Sequence, residues 1–114
     1  MKSFRELYVW SASIDLATQV VAIADVLCEK RRFALADQMQ RAAISVPSNI
    51  AEGFARLSRK EWRHFLAIAR GSLFELETQL EIALRIGAIK EAAAERTLIA
   101  KVGAGLTKMI RSLA

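Results

Sequence analysis

The chain has 114 residues, one domain by length, and is long enough to bury a core without disulfide or metal staples. Apolar residues make up 54% and aromatics 7%, with only five glycines and one proline for turns, which excludes a turn-rich β architecture and favours packed helices. The formal charge of +5 permits a polyanionic partner without requiring one.

The first helical stretch is expected from about Ser3 to Cys28, with Ser3 and Glu6 spaced as a capping box. Leu7, Trp10, Ile14, Ala17, Val21, Ala24 and Cys28 alternate steps of three and four, as a bundle seam does. Leu16, Val20, Ile23 and Leu27 add a second apolar strip, so this helix is apolar on more than one side. "MKSFRELYVW" lacks a secretory core, and no run of about 18 apolar residues suggests a membrane span. The lone Cys28 has no partner for an internal disulfide and is expected as a buried structural thiol. A soluble, cytoplasmic protein is the expectation.

The second stretch contains "QMQRAAISVPSNIAEG", whose central proline raises the question of one helix or two. On a helical wheel Leu35, Met39, Ala42, Val46, Ile50 and Leu57 share one arc. Gln38, Arg41, Ser45, Asn49, Glu52 and Arg56 share a narrow neighbouring arc. Both stripes keep phase through Pro47, which a helix-turn-helix would break. One helix kinked at Pro47 is therefore expected, with the proline directed away from the apolar arc.

The third stretch, about Arg59 to Ile86, repeats the capping box with Ser58 and Glu61. Trp62, Leu66, Ala69, Leu73, Leu76, Leu80 and Ala83 form its seam, and Gly87 is placed to cap it. The fourth, about Lys90 to Leu113, has Ile99, Val102, Leu106, Met109 and Leu113 as its seam. Gly103 and Gly105 weaken it and leave room for a close neighbour. Short connections around "KRRFA", "LS" and "GAI" make sequential helices antiparallel neighbours. The expected fold is all-α, an antiparallel up-down-up-down four-helix bundle spanning residues 1–114.

That topology sets Arg41 opposite Glu75, Gln38 near Gln79, Ser45 near Gly71 and Ser72, and Glu52 level with Arg63 and His64. A shielded Arg41–Glu75 ion pair follows. The facing stripes (Gln38, Arg41, Ser45, Asn49 and Glu52 against Ser72, Glu75 and Gln79) read either as a register-fixing polar network or as a binding site. Catalytic signals are absent. "EWRH" has the Glu-x-x-His spacing of di-iron bundles, but those need two such motifs, and this chain has one histidine. No phosphate loop, nucleophile–base set or zinc spacing appears, so neither enzyme activity nor a cofactor or metal is expected.

Charge sorts by end. The N-terminus, the turn between the second and third helices and the C-terminus should gather Lys2, Arg5, Arg56, Arg59, Lys60, Arg63, Lys108 and Arg111 against Glu6, Glu52 and Glu61. The opposite end balances Lys30, Arg31, Arg32, Arg85 and Lys90 with Asp25, Glu29, Asp37, Glu81 and Glu91. One polarised end is the footprint of a nucleic-acid partner, or a solvated helix end. A second surface, Gln40, Ile44, Pro47, Ala51 and Ala55 with Phe74, is too apolar for open solvent and reads as an oligomer interface.

"FRELYVW", "QMQRAAISVPSNIAEGFARLS" and "FLAIARGSLFELETQL" together resemble the proteins encoded in intervening sequences of bacterial 23S rRNA genes, also called S23 ribosomal proteins. The Arg-Ala-Ala-x-Ser-x-Pro-x-Asn-Ile-Ala-Glu-Gly pattern from Arg41 to Gly53 is the specific part; "CEKRRFALADQ" departs by lacking a proline often found there. The resemblance implies a homo-oligomeric bundle, commonly a cyclic pentamer. It extends to accessory proteins of diversity-generating retroelements, which implies RNA or DNA and a reverse transcriptase as partners. The alternative is a protein-interaction scaffold that binds no nucleic acid.

Overall fold

The computed structural model describes residues 3–114, and among these the secondary structure is entirely helical. A 3₁₀ turn at Phe4–Glu6 precedes α1 (Tyr8–Glu29), α2 (Phe33–Ala55), α3 (Arg59–Arg85) and α4 (Ala93–Ser112). The molecule measures 43 × 20 × 19 Å, its long axis close to the length of the 27-residue α3 at about 1.5 Å per residue. Packing follows a square: α1 on α2, α2 on α3, α3 on α4, and α4 back on α1. The α2–α3 contact is the most extensive and α3–α4 the least.

The proline question has a clear answer. α2 is one helix with Pro47 inside it. The expected direction of that ring is corrected, however: Pro47 is buried beside Ala43 and Val46. A residue with no amide hydrogen can be taken into the packed side of the helix without stranding a donor there.

Helix ends explain most boundary differences. Ser3 caps only the 3₁₀ turn, its Oγ accepting from the Arg5 amide at 3.1 Å, and α1 starts at Tyr8 after the extended Leu7. The capping box expected to start one long helix is therefore corrected. Ser58 does cap α3, accepting from the Glu61 amide at 3.3 Å. Gly87 follows α3 at φ +72° and closes its end, with the Ala88 amide on the Ala83 carbonyl at 2.9 Å. Arg31 does the same after α1 at φ +63°, a place that usually calls for glycine. Lys30 Nζ then donates to the Ala88 carbonyl at 2.6 Å, tying the α1–α2 turn to the segment after α3. The fourth helix begins at Ala93, later than Lys90.

The α3 seam is buried as expected apart from the half-buried Trp62, and Ile99, Val102 and Leu106 are buried in α4. In α2, Met39, Ala42, Val46 and Ile50 are buried, but Leu57 lies beyond the helix at φ +60° and is 95% exposed. α1 needs the larger correction. Leu16, Val20 and Leu27 of its second strip are fully buried, whereas the first strip is divided, with Leu7, Ala17 and Ala24 buried and Ile14 and Cys28 exposed. Both strips are apolar, so periodicity alone did not decide how they share the core. The composition reading of α1 is also corrected: by length and mean hydropathy (1.5) it is apolar enough to cross a membrane. In this fold its most apolar side is spent on the core.

Two glycines show where packing is closest. A Cβ on Gly105 would collide with Val9 Cγ1, so α4 approaches α1 through it. A Cβ on Gly71, in mid-α3, would meet nothing within 4 Å. Helix propensity favours alanine over glycine by about 1 kcal/mol at both sites. Gly71→Ala should therefore raise the thermal midpoint. Gly105→Ala should lower it, because Val9 is β-branched and cannot swing its methyl away without moving α1. Equal shifts of one sign in both variants would show that α1 and α4 are not held this closely.

Candidate nucleic-acid interface

One end of the molecule is knotted by aromatic rings. Phe4 meets Trp10 edge-on at 5.1 Å and Phe54 at 6.5 Å, and Phe54 meets Trp62 at 5.7 Å. The 3₁₀ turn, the end of α2 and the start of α3 are thereby brought together. Arg59 Nη2 donates to the Ser112 carbonyl at 3.0 Å and Arg63 Nε to the Ile110 carbonyl at 3.2 Å, which adds the end of α4. Both carbonyls lie in the last turn of α4, where the regular i→i+4 ladder runs out and cations suit the negative pole. The cations expected at one end are thus assembled there, apart from Lys2, which lies outside the described residues.

They do not all remain available. Arg56 forms an ion pair with Glu52 at 2.7 Å and lies over the Phe65 ring, 5.0 Å from its centroid. Arg5 lies over Phe4 and Trp10. Arg59 and Arg63 are turned to α4, so the expected level of Glu52 with Arg63 makes no contact. Lys60, Lys108 and Arg111 are exposed, and no carboxylate of the described residues lies within ion-pair reach of them. Farther along α3, Glu81 takes both Arg85 and Arg96. The hydrogen bond from Arg85, with the charges of Arg85 and Arg96, holds the Glu81 carboxyl below its usual range.

Sequence reasoning missed Arg70. It stands seven residues after Arg63 and four before Phe74, a spacing that keeps all three near one side of α3. Its Nε donates to Thr107 Oγ1 at 3.0 Å, and its guanidinium carbon lies 4.6 Å from the Phe74 centroid.

The polar stripes do face each other. Ser45 and Ser72 Oγ atoms are 2.8 Å apart, and Asn49 Nδ2 donates to Ser45 Oγ at 2.9 Å and to the Ser45 carbonyl at 2.8 Å. Gln38, Arg41, Glu75 and Gln79 line the same shallow groove. Gln79 Oε1 is buried there without a hydrogen-bond partner. The shielded Arg41–Glu75 pair is corrected: Arg41 Nε instead donates to Asp37 at 3.0 Å, one turn away and well exposed. Both Arg41 and Glu75 sit at the rim, where a near acceptor on the same helix costs less side-chain ordering than a distant one. His64 contacts the Phe65 ring, and no three metal-ligating side chains of the described residues converge.

The expected apolar patch is split. Ile44 is 50% exposed and Ala55 is exposed, with Gln40 and Ala51 half-buried and Pro47 buried. Phe74 is 44% exposed but lines a groove with Gly103, Ala104 and Thr107 of α4, which does not contact α2.

The family model for 23S rRNA-intervening sequence proteins matches residues 5–111. The chain belongs to this family. A solved protein of unknown function from the S23 ribosomal protein family of Bacteroides thetaiotaomicron VPI-5482 shares the fold, with a TM-score of 0.69 and 24% identity over 92% of this chain and 94% of that one. No curated protein sequence matches.

The serine network and the surface pair should respond differently to truncation. Ser45→Ala strips a partner from both Ser72 and Asn49 and should destabilise by about 1–2 kcal/mol in denaturant unfolding. Arg41→Ala breaks only an exposed pair and should change stability by less than about 0.5 kcal/mol. A larger loss for Arg41 than for Ser45 would contradict the contacts described.

Proposed function

We propose that this member of the 23S rRNA-intervening sequence family is a non-enzymatic bundle that assembles with copies of itself and engages RNA or DNA through its basic end. Its helices run up-down-up-down with antiparallel neighbours. This reading is supported by Arg59 on Ser112, Ser45 on Ser72 and Lys30 on Ala88, each linking levels that such a path makes adjacent.

The observation that carries the reading is the set of cations with no carboxylate beside them. Lys60, Lys108 and Arg111 extend from an end where Arg59 and Arg63 are anchored to carbonyls rather than to acids. Carbonyl anchoring leaves their formal charge uncancelled. In a closed ring, five-membered as the family resemblance implies, every such end points the same way, and the potential grows with copy number. Contacts of this kind carry affinity without sequence choice and fall steeply with salt.

A protein-interaction scaffold is the second reading. It is favoured by Ile14, Phe33 and Ile44, all exposed on α1 and α2. A second copy covering Ile44 reconciles the two readings, since assembly would then use the α1–α2 side and polyanion binding the basic end.

Two measurements test this. Combined Lys60→Glu, Lys108→Glu and Arg111→Glu changes should lower the slope of log affinity against log salt by about 2 per subunit on single strands. They avoid Arg59 and Arg63, whose loss would strip caps from α4. An unchanged slope would refute binding at this end. Ile44→Glu should shift the particle towards monomer in light scattering, and a wild-type protein already monomeric at high concentration would end the assembly proposal.

A further inference from the structure

The least extensive helix contact lies between α3 and α4, and it leaves an open channel. Arg63, Arg70 and Arg111 line its first part. Phe74, Gly103 and Lys108 line its continuation, and Thr107 and Arg111 belong to both parts. From Arg63 to Phe74 is eleven residues along α3, about 16 Å at helical rise. Ala100, Gly103 and Ala104 line it alongside Phe74 and are too small to fill it.

We propose that this channel holds a single strand of nucleic acid, with an unpaired base stacked at Phe74. The proposal rests on the basic-end reading above and adds the form of the ligand and the residue that distinguishes it. Three observations support it. Cations run the length of the channel, and Arg70, Lys108 and Arg111 have no carboxylate of the described residues within ion-pair reach. Arg70 is held by Thr107 over one face of the Phe74 ring, which leaves its terminal nitrogens to donate to a phosphate and the exposed remainder of the ring to a base. Phe74 is 44% exposed and shares its part of the channel with Lys108 and Arg111. A cationic groove with an aromatic platform is the chemistry that binds single strands without regard to sequence. A duplex keeps its base faces within its own stack, so it would gain nothing from Phe74.

The channel also has a boundary. Glu77 lines it beyond Phe74, and Glu81 follows one turn later. Phosphates are repelled there, so the strand's contact ends at the aromatic ring.

The test uses fluorescence anisotropy with four labelled probes at low salt: a 12-nucleotide RNA, the DNA of the same sequence, the matching duplex, and an abasic 12-nucleotide strand carrying phosphates without bases. The wild-type protein should bind both single strands alike, since nothing in the channel is placed to read the 2′-hydroxyl. It should bind them about tenfold more tightly than the abasic strand, the scale of one base stacked on an aromatic ring. Phe74→Ala should remove that preference without changing the salt slope, and Phe74→Trp should keep it. Glu77→Lys should tighten binding of all single strands. Equal binding of abasic and normal strands would overturn the stacking proposal and leave the basic-end reading standing. Failure to bind any of the four probes would overturn both. A Phe74→Ala protein that changes subunit number in light scattering, yet binds single strands as before, would also overturn the proposal and assign the ring to a contact between copies.

Discussion

The close apposition of α2 and α3 governs the rest of the molecule. Small groups permit it: Gly53 has no room for a Cβ, which would sit 2.9 Å from Phe65 Cβ and Trp62 Cδ1, and the Ser45 and Ser72 hydroxyls meet across the interface. Core density favours such contact, because apolar area is removed from water and few voids remain. The cost falls on the opposite flank of α3. A helix drawn towards α2 cannot bury its far side equally against α4, and Arg63, Arg70 and Phe74 are left along an open channel.

Charge follows from that asymmetry. On the tight α2–α3 side, cations find acids on their own helix, as Arg41 finds Asp37 and Arg56 finds Glu52. Towards the basic end of the open side, Arg59, Arg63 and Arg70 find α4 instead, which offers them carbonyls and a hydroxyl rather than carboxylates. Those contacts hold a guanidinium in place without neutralising it. The same residues therefore stabilise the α4 terminus and set the potential of the surface. For this reason Lys60, Lys108 and Arg111, which anchor nothing, are the informative positions for mutation.

The family match covers nearly the whole chain and, with the structural likeness, identifies the helical fold. The motif from Arg41 to Gly53 turns out to be mainly an instruction for packing. Ala42, Ala43, Val46, Pro47, Ile50 and Gly53 are buried, Ser45 and Asn49 form the polar network, and only Arg41, Ile44, Ser48 and Glu52 are exposed. Nothing in it faces the α3–α4 channel.

The sequence by itself determined the helical class, the continuity of α2 through Pro47, the α3 and α4 seams, the Ser58 and Gly87 caps and the polarisation of charge to one end. These rest on local periodicity and backbone preferences, which act over a few residues and survive whatever the neighbours do. Only the tertiary structure decided how the two apolar strips of α1 shared the core, that Pro47 was buried and Cys28 exposed, that Arg41 chose Asp37 over Glu75, and that Phe74 belonged with α4 rather than with Ile44. The physical reason is common to all four. A doubly apolar helix has no unique inward face until its neighbours are placed, and a long side chain at a rim reaches several partners of similar energy. Those choices are settled by how closely the helices approach one another, which no single stretch of sequence encodes.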